Sequence, residues 1–173
     1  QMEEQVNDLV ERGREQFNDP SFFSLELGNV LARLHDYEKA TDEFITYAIY
    51  HPRQVRTISN HLLRLSDQEG SVPFMEARLT ARMDENREII LHLHSDLLFK
   101  IGRYDSAFDQ HVALGVQSND DLDRWLKFAD NLRKENQMPL ALDAFSTILK
   151  TLSERRAVSG KSRYNKLTGR ALY

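Results

Sequence analysis

Apolar residues recur along this chain at three- and four-residue steps, with charged residues filling the positions between them. Val55, Ile58, Leu62 and Leu65 form one such stripe, and Met2, Val6, Leu9 and Phe17 form another. Steps of three and four put side chains on one face of a helix, so the pattern predicts long helices rather than many short strands. Seven glycines and four prolines in 173 residues leave few breaks between such helices. The expected fold class is all-α, with about eight to ten helices over this length.

A longer period lies above the helical one. After the pair Leu27-Gly28, Tyr37 follows nine residues on, Ala40 three further, Phe44 four further and Pro52 eight further. Each type suits its place. Gly28 and Ala40 let two helices approach closely, Phe44 fills the space between successive helix pairs, and Pro52 cannot extend the helix behind it. His35-Asp36 makes the turn. The pattern returns with Gly102, Tyr104 and Ala107, the last 67 residues after Ala40. Trp125, Ala129, Ala141 and Phe145 repeat it once more, Ala141 standing 34 residues after Ala107.

These residues resemble the tetratricopeptide repeat, a 34-residue helix-turn-helix unit. The resemblance implies a right-handed α-solenoid of four such repeats, about 21–54, 55–87, 88–121 and 122–153. The stripe of residues 1–20 is expected to pack on the first repeat and cover its edge. Asp19-Pro20 would start the next helix. Residues 154–173 read as a loop followed by the first helix of a further repeat or a cap, from Tyr164, Leu167 and Ala171. That segment would cover Leu142, Phe145 or Leu149. The repeats are uneven. Ser95 and His111 stand for the expected Gly and Phe in the third, and Met138 for the aromatic in the fourth. In the second, Phe74 stands where a small residue is expected, with the turn placed at Gln68 to Val72 and the second helix at Pro73 to Met83.

Composition narrows the function classes. No run of some eighteen apolar residues exists, and the polar, acidic start is unlike a secretory leader, so a soluble chain without membrane insertion is expected. Opening on Gln1 fits a trimmed form, which leaves the compartment open between the cytoplasm and, with a leader removed, a bacterial envelope. The absence of cysteine excludes disulfides, thiolate metal sites and a cysteine nucleophile. A net charge of −4 argues against a protein whose main work is neutralising phosphates, although Thr151 to Tyr173 carries six basic residues against Glu154 alone.

Candidate chemistry fails in detail. Ser159 to Ser162, SGKS, resembles the end of a phosphate loop, but Arg155 stands where a glycine is required and no apolar strand precedes it. Asn119, Asp121 and Asp123 alternate like calcium ligands, yet Arg124 replaces the essential glycine and Asp130 the bidentate Glu. The cluster reads instead as a helix start capped by Ser118 or Asn119. His92 and His94 diverge on a helix, and His61, His94 and His111 fall at packing positions. No glycine-flanked serine elbow exists. No catalytic residue, metal site or cofactor is assigned.

Surface remains. In tetratricopeptide arrays the first helices line a concave groove, so the resemblance implies a partner-binding set of Asn29, Arg33, Asn60, Leu63, His92, Leu93, Asp96, Leu126, Lys127, Asp130 and Arg133. Leu93 and Leu126 would be apolar anchors. Phe22, Glu26, Arg56, Ile89, Lys100 and Asp123 share those faces. Asn29 and Asn60 match the asparagines of the chaperone-binding carboxylate clamp, but Leu25, Ile89 and Leu93 replace its basic residues. A terminal carboxylate there would be buried unpaired, at a cost of several kcal/mol, so a chaperone tail is excluded as partner. The expected function is non-enzymatic binding of a protein or peptide. The alternatives are a structural segment of a longer solenoid or homo-oligomer, and a nucleic-acid-binding helical repeat.

Overall fold

The computed structural model describes the backbone of residues 2–159 and the side chains of residues 8–155. Among the described residues there are nine α-helices and no strand. They are α1 (Met2–Phe17), α2 (Ser24–Arg33), α3 (Tyr37–Tyr50), α4 (Val55–Leu65), α5 (Ser71–Ala81), α6 (Arg87–Lys100), α7 (Tyr104–Leu114), α8 (Asn119–Lys134) and α9 (Met138–Ser159). No described helix is long and apolar enough to cross a membrane.

The boundaries follow local chemistry. His35 at φ +62° ends α2, and the Asp36 carboxylate caps α3 by accepting from Lys39 N at 3.2 Å. Pro52 stops α3 and opens a short 3-10 turn, Pro52–Gln54. Asn86 caps α6 by accepting from Ile89 N at 3.3 Å. Ser118 and Asp121 form a reciprocal box at α8. The serine Oγ accepts from Asp121 N at 3.1 Å, and the Asp121 carboxylate accepts from Ser118 N at 2.7 Å. The acidic cluster there is a helix start, as its spacing implies.

The chain divides into two compact units, Gln1–Ile101 and Gly102–Tyr173, at the turn between α6 and α7 and so inside the third expected repeat. In the first unit the main packing runs α2 on α3, α3 on α4 and α5, and α6 on α4, with smaller contacts of α6 to α5 and α3. Its core runs through Leu31, Phe44, Ile45, Ile58, Leu62, Met75, Leu79, Ile90, Leu93 and Leu97. Gly28 is a close fit, because a Cβ there would stand 2.8 Å from the Phe44 ring. Phe44 in turn meets the His61 ring on α4, centroids 5.3 Å apart.

The second unit pairs α8 with α9 and rests α7 on α9. Ala129, Ala141 and Ala144 are buried along the α8–α9 line. Trp125, Phe128, Phe108 and His111 cluster beside it, with His111 edge-on to Phe128 at 3.9 Å. Arg155 ties the far part of α9 to the loop before α8, donating to Val116 O at 3.1 Å and Ser118 O at 3.3 Å.

Four expectations need correction. Of the expected α1 stripe, Leu9 and Phe17 are 65% and 60% exposed, and it is Val10 that turns inward; the side chains of Met2 and Val6 lie outside the described residues. Gly13 sits beneath the Phe22 ring, which a Cβ would meet at 2.4 Å, so the residue that seats the linker on α1 is a glycine. Secondly, α2 starts at Ser24 rather than at Pro20, after a turn that ends with Phe23 at φ +58°. Thirdly, α5 begins at Ser71, behind Gly70 at φ +77°, and Phe74 points outward while Ser71, Met75 and Leu79 face the core. Fourthly, α9 continues to Ser159, so residues 154–159 are helix and not loop. Leu142 stands 66% exposed, whereas Phe145 and Leu149 are half-buried. The spacing read at Tyr164, Leu167 and Ala171 and the glycine and lysine of the SGKS string lie outside the described residues.

Candidate binding faces

On α4, the positions Ile58, Ser59, Leu62 and Leu65 are buried, which fixes the opposite side as the exposed one. Asn60 lies on that exposed side, with half-buried Leu63 at its margin. The neighbouring α6 is tied to α4 twice. The Ser59 hydroxyl donates to the Asp96 carboxylate, and Lys100 pairs with Asp67 at 3.1 Å. These ties bring Asn60, Leu63, half-buried His92 and exposed Asp96 onto adjoining helices of the first unit.

Leu93 does not join them. It is 1% exposed and belongs to the core, because α6 is contacted by α3, α4 and α5 and buries residues around most of its circumference. Leu126 is 5% exposed for the same kind of reason, lying within the six buried positions of α8. Neither is an anchor for a partner. Asn29 is half-buried, its side-chain amide donating to Leu25 O at 2.8 Å, and Arg33 is exposed at the end of α2. In the second unit Lys127 and Arg133 are exposed on α8, with Asp130 3.9 Å from Arg133.

The first unit also forms two clefts that were not foreseen from residue spacing. One of about 490 Å³ is lined by Glu11, Arg14, Glu15, Thr46, Tyr50, Arg82 and Glu85 among others. A neighbouring one of about 290 Å³ is lined by Val10, Leu31, Lys39, Asp42 and Glu43 together with Glu11 and Arg14. Every arginine here is engaged. Arg14 bridges to Glu43 at 2.5 Å and Ser24 at 3.0 Å, and Arg78 donates to Asp42 at 2.9 Å. Arg82 holds Glu85 through two nitrogens, at 2.7 and 2.5 Å, and donates to Asp42 O at 2.7 Å. The Asp42 hydrogen bond raises the Arg78 pKa, and the Arg82 hydrogen bond holds the Glu85 carboxyl below its ordinary range. The signal for this ladder was the four-residue step from Glu38 to Asp42 facing the same step from Arg78 to Arg82.

The arginines at and just before α4 differ. Arg56 and Arg64 are exposed on the side that carries Asn60, Arg53 is exposed in the preceding 3-10 turn, and none makes an ion pair among the described residues. Nearby, His61 is packed inward, and burial, with a smaller contribution from the Arg64 charge, lowers its pKa. Among the described residues no group of three His, Asp or Glu side chains is placed to hold a metal ion.

No family model matches the chain, and no curated protein does. The tetratricopeptide likeness thus rests on the residue spacing in this sequence.

Proposed function

We propose that the chain is a non-enzymatic interaction module of tetratricopeptide type, a right-handed helical array that holds a peptide, helix or protein partner on the faces of its first helices. The observation that carries this reading is the α4–α6 arrangement. Two polar ties, Ser59 to Asp96 and Asp67 to Lys100, hold these first helices side by side with Asn60 and Leu63 left for a partner. Polar side chains on helices fixed by a packed core are preorganised, which reduces the entropy lost on binding. With Leu93 and Leu126 in the interior, Leu63 is the apolar contact on this face, and Lys127, Asp130 and Arg133 offer a separate polar face on α8.

The test is affinity capture with the purified chain, followed by mass spectrometry, comparing Leu63→Glu with Thr46→Arg on α3. Partners should be lost from Leu63→Glu and kept by Thr46→Arg, with far-ultraviolet circular dichroism unchanged in both. The reverse result would move the working surface to the cleft between α1 and α3.

A second reading, a structural segment or self-assembling oligomer, is favoured by one observation. Leu9, Phe17 and Phe23 are 65%, 60% and 50% exposed, Phe17 and Phe23 both packing on Phe22, and exposed apolar groups of this size are often covered by another chain. Light scattering that gives a monomer at high concentration would remove the oligomer.

A further inference from the structure

We propose that the outer side of α4 is a docking site for an acidic segment of a partner protein, a sharper form of the reading above that rests on it. The argument starts from charge. Between Glu43 and Asp67 the chain has no acidic residue, while Arg53, Arg56 and Arg64 fall within that interval. At 100° per residue Arg56, Asn60 and Arg64 occupy one side of the helix, opposite the buried Ile58 and Leu62, and Arg53 lies in the 3-10 turn just before it. All four are exposed. Asp67, the acid nearest in sequence to Arg64, is taken by Lys100 at 3.1 Å. None of the three arginines makes an ion pair among the described residues, whereas Arg14, Arg78 and Arg82 of the same unit each have a carboxylate.

The fold itself gains nothing from this row. α4 contains no carboxylate, so neither of its two arginines gains a pairing within the helix. A guanidinium presents a planar fork that fits a carboxylate with two parallel hydrogen bonds. Arg56, Asn60 and Arg64 lie one turn apart, a rise of about 6 Å per step. Glutamates at four-residue steps on a helical partner have the same rise, so two of them can meet Arg56 and Arg64 while the Asn60 amide hydrogen-bonds between them. Leu63 at the margin supplies apolar contact.

Charge balance also decides against a nucleic acid. The first unit holds 18 acidic and 11 basic residues, a net of −7, and Asp96 stands on the helix beside the row. A long polyanion would run beyond the arginines into that negative surface, whereas a short acidic segment fits within the row.

The experiment is fluorescence anisotropy on the full chain with three labelled probes. They are a helical peptide with glutamates at four-residue steps, the same peptide with glutamines, and an oligothymidine of similar length. The glutamate peptide should bind at least about tenfold more tightly than the other two, and more weakly as salt rises. Arg56→Glu with Arg64→Glu should weaken it by about tenfold or more. The milder Arg56→Gln with Arg64→Gln serves if the reversal disturbs helicity, and Lys134→Glu on α8 should change nothing. The inference is overturned if the glutamate and glutamine peptides bind alike or not at all, if changing both arginines has no effect, or if oligothymidine binds most tightly. If the peptide result fails while Leu63→Glu still abolishes partner capture, only the acidic identity of the partner falls. If both fail, the first-helix reading falls with it.

Discussion

The helix pairs α2–α3 and α4–α5 come from stretches of similar length and composition, yet they pack differently. In the first pair the helices lie close along their length, with Gly28 set against the Phe44 ring and Ala40 fully buried. In the second pair, 34 residues on, Leu62 and Phe74 occupy those places. Leu62 is 1% exposed and fills the core, Phe74 is turned out, and α5 packs mainly on α3 instead of α4. Interaxial distance is set by the side chains at the crossing, so a glycine and an alanine let two helices draw together, and a leucine in the glycine's place does not. The α8–α9 pair of the second unit supports this, since Ala129, Ala141 and Ala144 lie buried along another close line.

Four measurements would break or sharpen the contrast. The largest effect is expected for Leu62→Ala, which removes a buried side chain from the wider pair and should cost roughly 2–5 kcal/mol in denaturant unfolding. A loss under about 1 kcal/mol would mean that α4 and α5 close up as α2 and α3 do. Ala40→Leu in the tighter pair should cost roughly 1–3 kcal/mol, because Ala40 is fully buried and the added atoms would overpack the core around it. An unaltered midpoint there would contradict the close approach.

A smaller effect concerns pH, read at His61, which joins the two pairs through its ring contact with Phe44. Burial lowers the His61 pKa from the ordinary 6.5, so the unfolded chain binds its proton more readily than the folded one. Its contribution to stability is therefore complete above about pH 6.5 and is lost as pH falls through the folded value. Thermal midpoints measured from pH 7.5 to 5.5 should decline in the wild type and decline less in His61→Gln. Equal slopes would show that the ring is solvated. Smallest of all, Phe74→Ala should shift stability by less than about 0.5 kcal/mol, although it stands 34 residues after the sensitive Ala40. A large loss at Phe74 would restore the register implied by the repeat spacing.

Much of the helical order was legible because its causes are local. The turn at His35-Asp36, the stop at Pro52, the cap at Ser118 and the small residues Gly28, Ala40, Ala107, Ala129 and Ala141 act through neighbouring backbone or through a single facing helix. Those positions are where spacing and structure agree. The candidate surface was legible only in part. Asn60, Lys127 and Arg133 are exposed as expected, but Leu93 and Leu126, offered as anchors, are inside. The arginine row of α4 was open to inspection all along, because a gap between Glu43 and Asp67 with three arginines inside it is a property of sequence.

By itself, then, the sequence determined that the chain folds as helices, where most of them begin and end, and which residues share a face. Tertiary structure decided which of those faces is covered. Leu9 and Phe17 have the periodicity of a packing stripe, but the neighbour of α1 touches the adjoining face that carries Val10 and Gly13. Leu93 has the periodicity of a groove residue, but α6 is enclosed from several directions at once. The start of α5 slid to Ser71 because Met75 and Leu79 fill the space beside α3 better than the bulky ring of Phe74 would. A helical period fixes the angle between side chains on one helix and leaves free the rotation of that helix about its own axis. That rotation is set by the shapes of the helices packed around it.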